Sequence, residues 1–120
     1  MTIKECYEKV GSGYDGVLKR LGSEALVKRF AVKFLNDPSF QELTDGLAAQ
    51  DGEKAFRAAH TLKGVCQNLS LTSLYQVSSQ LTEELRNEDT AVLGNPNISD
   101  YMSKVTAEYH KTIEAIQELE

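Results

Sequence analysis

The sequence contains no tryptophan, two prolines, two cysteines and two histidines, and each shortage excludes something. With so few prolines, long helices can run uninterrupted. Cys6 and Cys66 lie far apart and have no metal-type spacing with either histidine, which argues against a zinc site or a disulfide scaffold and for two reduced thiols in an intracellular chain. No apolar run approaches the ~18 residues of a membrane span, and the start MTIKECYEKV lacks the apolar core of a signal peptide. The expectation is a cytoplasmic protein with no membrane partner, in which the sequons Asn68-Leu69-Ser70 and Asn97-Ile98-Ser99 carry no meaning. Positive charge is also short: 13 Lys and Arg against 18 Asp and Glu leave a net charge of −5. An acidic chain has no general attraction for a polyanion, so nucleic acid is not expected as a partner. Lys19, Lys28, Arg29 and Lys33 come close together and are read as a solvated helix face. Missing too is any sustained two-residue alternation of the kind a half-buried strand shows.

What is present is helical. A chain of 120 residues suits one domain with one core. The pattern predicts helices at roughly 2–10, 13–21, 23–35, 38–49, 52–69, 72–87 and 98–119. Both prolines fit helix starts: Asp37 can cap a helix whose first residue is Pro38, and Pro96 precedes Asn97-Ile98-Ser99-Asp100, which has the form of a capping box. The longest expected loop runs from Glu88 to Asn97. Apolar stripes supply a bundle core: Leu26, Phe30 and Phe34 with Val27 and Ala31; Leu71, Leu74, Val77 and Leu81; and Val105, Tyr109, Ile113 and Ile116. Short connections make neighbouring helices antiparallel. The glycine pattern Gly11-Ser12-Gly13-Tyr14-Asp15-Gly16 imitates a dinucleotide-binding loop. It follows a helical segment rather than a strand, so it is read as a helix break. His110, among polar residues on the last helix, is read as solvent-exposed or as a helix-end histidine.

The segment from Gly52 to Leu69 carries the candidate chemistry. At about 100° per residue, Glu53, Phe56, Gly64 and Gln67 fall within about 40° of His60, and Lys63 within about 60°. Ala55, Ala58, Leu62, Val65, Cys66 and Leu69 fall on the opposite side. The core face is therefore complete without His60, which sits at the centre of the polar face where no packing demand explains it. Gly64, one turn on, costs about 1 kcal/mol relative to alanine in a helix interior; clearance for a bulky group approaching the imidazole accounts for it. Lys63 can bring a flexible point charge to a phosphoryl group on His60. Gln67 can hydrogen-bond along the same face. Phe56 is either packed on the preceding helix or an anchor for a docking partner.

The run His60-Thr61-Leu62-Lys63-Gly64, followed by Asn68-Leu69, resembles the signature of histidine-containing phosphotransfer (HPt) domains. The resemblance covers roughly residues 23 to 119. It implies an all-α fold, an antiparallel four-helix bundle over 23–120; the short additional N-terminal helices over 1–22, read from the residues, are expected to cover one end or side of it. It further implies that His60 is the phospho-acceptor, Lys63 its charge partner and Gly64 the clearance residue. The implied partners are receiver domains of response regulators or hybrid histidine kinases, with Mg²⁺ on the receiver, no cofactor on this chain and a monomeric state. Three positions depart from the family pattern. Val65 stands where a small residue is frequent, Ser70 where glycine usually ends the helix, and Thr82, with Gln80 nearby, where a glutamine often orients the histidine. The expected function is phosphocarriage rather than autonomous catalysis, since the sequence offers no phosphate-binding loop, metal-carboxylate cluster or nucleophile–base pair beyond His60. The alternative is a helical scaffold that docks a receiver-like partner without turnover.

Overall fold

The computed structural model describes residues 1–86 and 94–119. Within them the chain forms seven helices: α1 (Ile3–Lys9), α2 (Tyr14–Leu21), α3 (Glu24–Phe34), α4 (Ser39–Ala48), α5 (Gly52–Asn68), α6 (Thr72–Glu84) and α7 (Pro96–Gln117). No strand occurs among the described residues. No helix there is long and apolar enough to cross a membrane. The most extensive packing joins α4 to α5, α5 to α6 and α6 to α7. The turns after α4 and α5 are tight, so these helices run antiparallel as a four-helix bundle.

Small residues set how closely α5 can be held. Its buried face consists of Gly52, Ala55, Ala58, Ala59, Leu62 and Cys66. A β-carbon on Gly46 of α4 would lie 2.8 Å from the Ala55 nitrogen, so the two backbones meet at a distance only glycine allows. On α6 the buried stripe is Leu74, Ser78, Leu81 and Thr82. On α7 it is Ile98, Val105, Thr112, Ala115 and Ile116, with Tyr109 and Ile113 partly buried beside it. The Tyr109 ring stacks on Phe40 of α4 at 3.9 Å and meets Phe34 of α3 edge-on at 5.9 Å, closing the bundle on that side.

Several expectations need correction. On α3 the buried stripe is Val27, Ala31 and Phe34, while Leu26 and Phe30 stay 37% and 39% exposed. The helix packs through one narrow edge, and its other apolar edge borders an open groove lined by Phe30, Lys33, Phe34, Val65 and Leu69. The last helix starts at Pro96 instead of residue 98, because the Asn95 side chain accepts from the Asn97 amide at 2.9 Å and proline occupies the first turn. At α4, Pro38 is the capping residue and Asp37 accepts from the Ser39 amide at 2.9 Å. Of the expected loop from Glu88 to Asn97, residues 88–93 lie outside the described residues. The glycine pattern is divided between the α1–α2 turn, where Gly11 has φ 65°, and helix α2, which contains Gly16.

Helix α5 ends in a left-handed turn without glycine. Ser70 has φ 54°, the Leu71 amide donates to the Cys66 carbonyl at 2.9 Å, and the Ser70 amide donates to Gln67. This is the Schellman arrangement, and a side chain there costs on the order of 1 kcal/mol. The same arrangement ends α4 with Gln50 at φ 55°. Neighbours hold the α5 end. The Tyr7 hydroxyl donates to Leu69 O at 2.6 Å, Arg20 donates to the carbonyls of Gln67 and Asn68 at 2.9 and 2.5 Å, and the Gly13 amide donates to Ser70 O at 3.0 Å. Burial pushes the ionisations of Tyr7 and Cys66 well above their ordinary range.

Two substitutions test this account by urea denaturation. Ser70→Gly should raise stability by about 1 kcal/mol, as the left-handed strain is relieved. Gly46→Ala should lower it by about 1–3 kcal/mol, because the new methyl group overlaps the α5 backbone.

Candidate functional site

The geometry of α5 leaves one face open. Asp51 caps its start by accepting from the Lys54 amide, and the alanine-rich side turns toward α4 and α6. His60 is consequently exposed in the middle of a 17-residue helix. No described side chain hydrogen-bonds to it. Its ring neighbour is Phe56, whose centroid lies 6.1 Å away with the planes tilted by 41°.

Lys63 and Gly64 are half-exposed and Gln67 is exposed, all on the His60 side. A β-carbon added at Gly64 would meet nothing within 4 Å. The contrast with Gly46 is informative: among the described residues no neighbour crowds position 64. Glu53 and Arg57 form an ion pair one to two turns before His60.

Phe56 is half-buried, and its polar partner comes from the turn that ends α6 rather than from the helix before α5. The Arg86 guanidinium lies 5.6 Å from the Phe56 centroid. Glu83 holds Arg86 in a fork, accepting from Nε at 2.9 Å and from Nη2 at 2.7 Å. These hydrogen bonds hold the Glu83 carboxyl below its usual range, and the nearby Lys63 charge acts in the same direction. Sequence reasoning missed Glu83 and Arg86. Their spacing of three at the end of the segment expected to be helical, 72–87, was the available signal, as it can bring the two side chains together.

The candidate orienting residues fare differently. Thr82 is fully buried, and its hydroxyl donates to Ser78 O at 2.7 Å, so it offers His60 no hydrogen bond. This corrects the expectation: in a helix, a threonine facing the core satisfies its hydroxyl on the preceding turn. Gln80 is exposed on α6 and makes no hydrogen bond to His60. His110 is exposed on α7, where its ring meets those of Phe40 and Tyr109.

Stability measurements separate clearance from packing. Gly64→Ala should stabilise the fold by about 1 kcal/mol, the helix-propensity gain with no steric cost. Phe56→Ala should cost roughly 1–2.5 kcal/mol, below the 3–5 kcal/mol of a fully buried ring. Paired thermal melts read both; a loss at Gly64→Ala would contradict the open space described for it.

Comparison with known proteins gives a family. Neither the curated proteins nor the solved structures searched contain a match to this chain. The family profile described as Hpt domain matches residues 36–119, a span that takes in α4 to α7 and the open face of α5. With most of its length covered by that match, the chain belongs to the Hpt domain family, the histidine phosphotransfer modules of phosphorelays.

Proposed function

We propose that His60 accepts a phosphoryl group from the aspartyl phosphate of one receiver domain and delivers it to another. Hpt domains act as phosphocarriers that interact with receivers. The observation that carries the assignment to this residue is an exposed imidazole in mid-helix with open space at Gly64. In this reading a neutral His60 ring nitrogen attacks phosphorus in line. The nitrogen–phosphorus bond forms, the bond from phosphorus to the aspartyl oxygen breaks, and the aspartate leaves as a carboxylate. A Mg²⁺ held by the receiver's acidic residues would stabilise the charge on the transferring oxygens. This chain contributes placement and charge: a nucleophile on a rigid helix, the Lys63 ammonium one turn away, and an unobstructed approach past Gly64. Phe56 and Gln67, on either side of His60, form the docking surface. We further propose that the chain works as a monomer in the cytoplasm, its short N-terminal helices over 1–22 packed on the bundle.

His60→Gln should melt as the wild type does, since position 60 is exposed, and should take no acid-labile phosphate from a phosphorylated receiver domain. Labelling at the wild-type rate would overturn the assignment. Receiver binding by the wild type without any labelling would favour the scaffold alternative. Lys63→Ala should fold and bind, with transfer slowed by roughly tenfold, the loss of one charged contact to the phosphoryl group. Gly64→Gln should fold normally and transfer more slowly than Gly64→Ala, because its side chain occupies the approach.

A further inference from the structure

The charges around His60 are not limited to Lys63. Arg86 lies against Phe56, one helical turn from His60. Glu83, in the last turn of α6, lies three residues before Arg86, which follows the helix's capping residue Leu85. Since α6 runs antiparallel to α5, going back from Arg86 to Glu83 leads in the same direction as going from Phe56 to His60, about 6 Å along α5. Glu83 is thereby brought toward the level of His60, with Arg86 on one side of it and Lys63 on the other. Its carboxylate is committed to Arg86 through two hydrogen bonds of 2.9 and 2.7 Å. Lys63 is near enough to add to the stabilisation of the charged carboxylate. Both partners of the fork are more than half exposed, so the pair contributes little to folding. Stability therefore does not explain a carboxylate at this point.

We propose that Glu83 is a positioning residue that makes phosphorylated His60 a readier donor. In the free protein it holds Arg86, and the field of Lys63, on an internal anion. When His60 carries a phosphoryl group, about two negative charges are added beside that carboxylate. The phosphoryl group then competes with Glu83 for the same two cations and is repelled by it. The carrier binds the group less firmly than a histidine flanked by two free cations would, and onward transfer to a receiver is favoured. The inference rests on His60 being the phosphorylated residue and adds what governs the tendency to give the group up.

Phosphoramidate, a small anionic phosphoryl donor, reads this without a protein partner. Its phosphorus–nitrogen bond breaks, a bond from the imidazole nitrogen to phosphorus forms, and ammonia leaves. Labelling of His60 is followed by ³¹P NMR, with peptide mapping to separate it from His110. Glu83→Gln should label faster than the wild type by roughly three- to tenfold, and Arg86→Gln should label slower by a similar factor. Both variants should melt as the wild type does. The differences should shrink as the salt concentration rises from about 0.01 M to 1 M, where the screening length falls from about 30 Å to 3 Å. At equilibrium with a receiver domain that exchanges phosphate with the wild type, Glu83→Gln should retain more phosphate on His60 and Arg86→Gln less. Changes in the same direction for both variants, rates equal to the wild type, or differences that persist at high salt would overturn the proposal. A wild type labelled by phosphoramidate that exchanges with no receiver would count against the relay function, and the chemical labelling rates would still decide the role of Glu83.

Discussion

Where Gly46 faces Ala55, a single added carbon would sit 2.8 Å from a backbone nitrogen, and the orientation of α5 follows from that closeness. A helix that packs through Gly52, Ala55, Ala58 and Ala59 is held backbone to backbone and has little freedom to roll. Long side chains at these positions would cushion the contact and permit several rotations about the helix axis. Small ones leave one. His60, on the far side of the helix, inherits its outward direction from this packing. A nucleophile that must meet a partner's active site within a few tenths of an ångström benefits from such a base.

The turn after α5 is a second fixed point, and most of what fixes it comes from elsewhere in the chain. Four carbonyls at the end of the helix receive hydrogen bonds from Tyr7, Arg20 and Gly13. Arg20 also brings positive charge to the negative end of the helix dipole. These tertiary bonds offset the strain of Ser70 in the left-handed region and explain how the turn forms without the usual glycine. The buried Tyr7 ring, edge-on to Tyr14 at 5.7 Å, ties the first two helices into the same junction.

The helices and the exposed face of α5 were legible from the sequence, because periodicity is a local property and the polar and apolar sides of 52–69 separate cleanly. The direction of His60 could be read for the same reason. What was not legible depends on how close two helices come or on what a third element covers. Leu26 and Phe30 look like core residues by spacing, yet α3 has too few neighbours to bury both of its apolar edges. Gly46 looks like an ordinary helix glycine until the Ala55 backbone is placed against it. Thr82 could be aligned with an orienting position, but the alignment gives no rotation about α6, and the rotation sends its hydroxyl back to Ser78. Glu83 and Arg86 could be recognised as a pair three residues apart; that Arg86, just past the end of α6, lies on Phe56, beside His60, required the register between α5 and α6.

The clamp on the end of α5 also separates two boundaries that are easily taken as one. The family match begins at Asn36, whereas Tyr7, Gly13 and Arg20, which donate to the carbonyls of Gln67, Asn68, Leu69 and Ser70, all come before it. A fragment trimmed to the matched span would keep every residue around His60 and lose Tyr7, Gly13 and Arg20 together. Its histidine helix would fray from the C-terminal end, and backbone amides near Gly64 and Gln67 would exchange with solvent sooner than those near Ala55. Recognition by sequence and autonomy in folding are thus set by different parts of this chain.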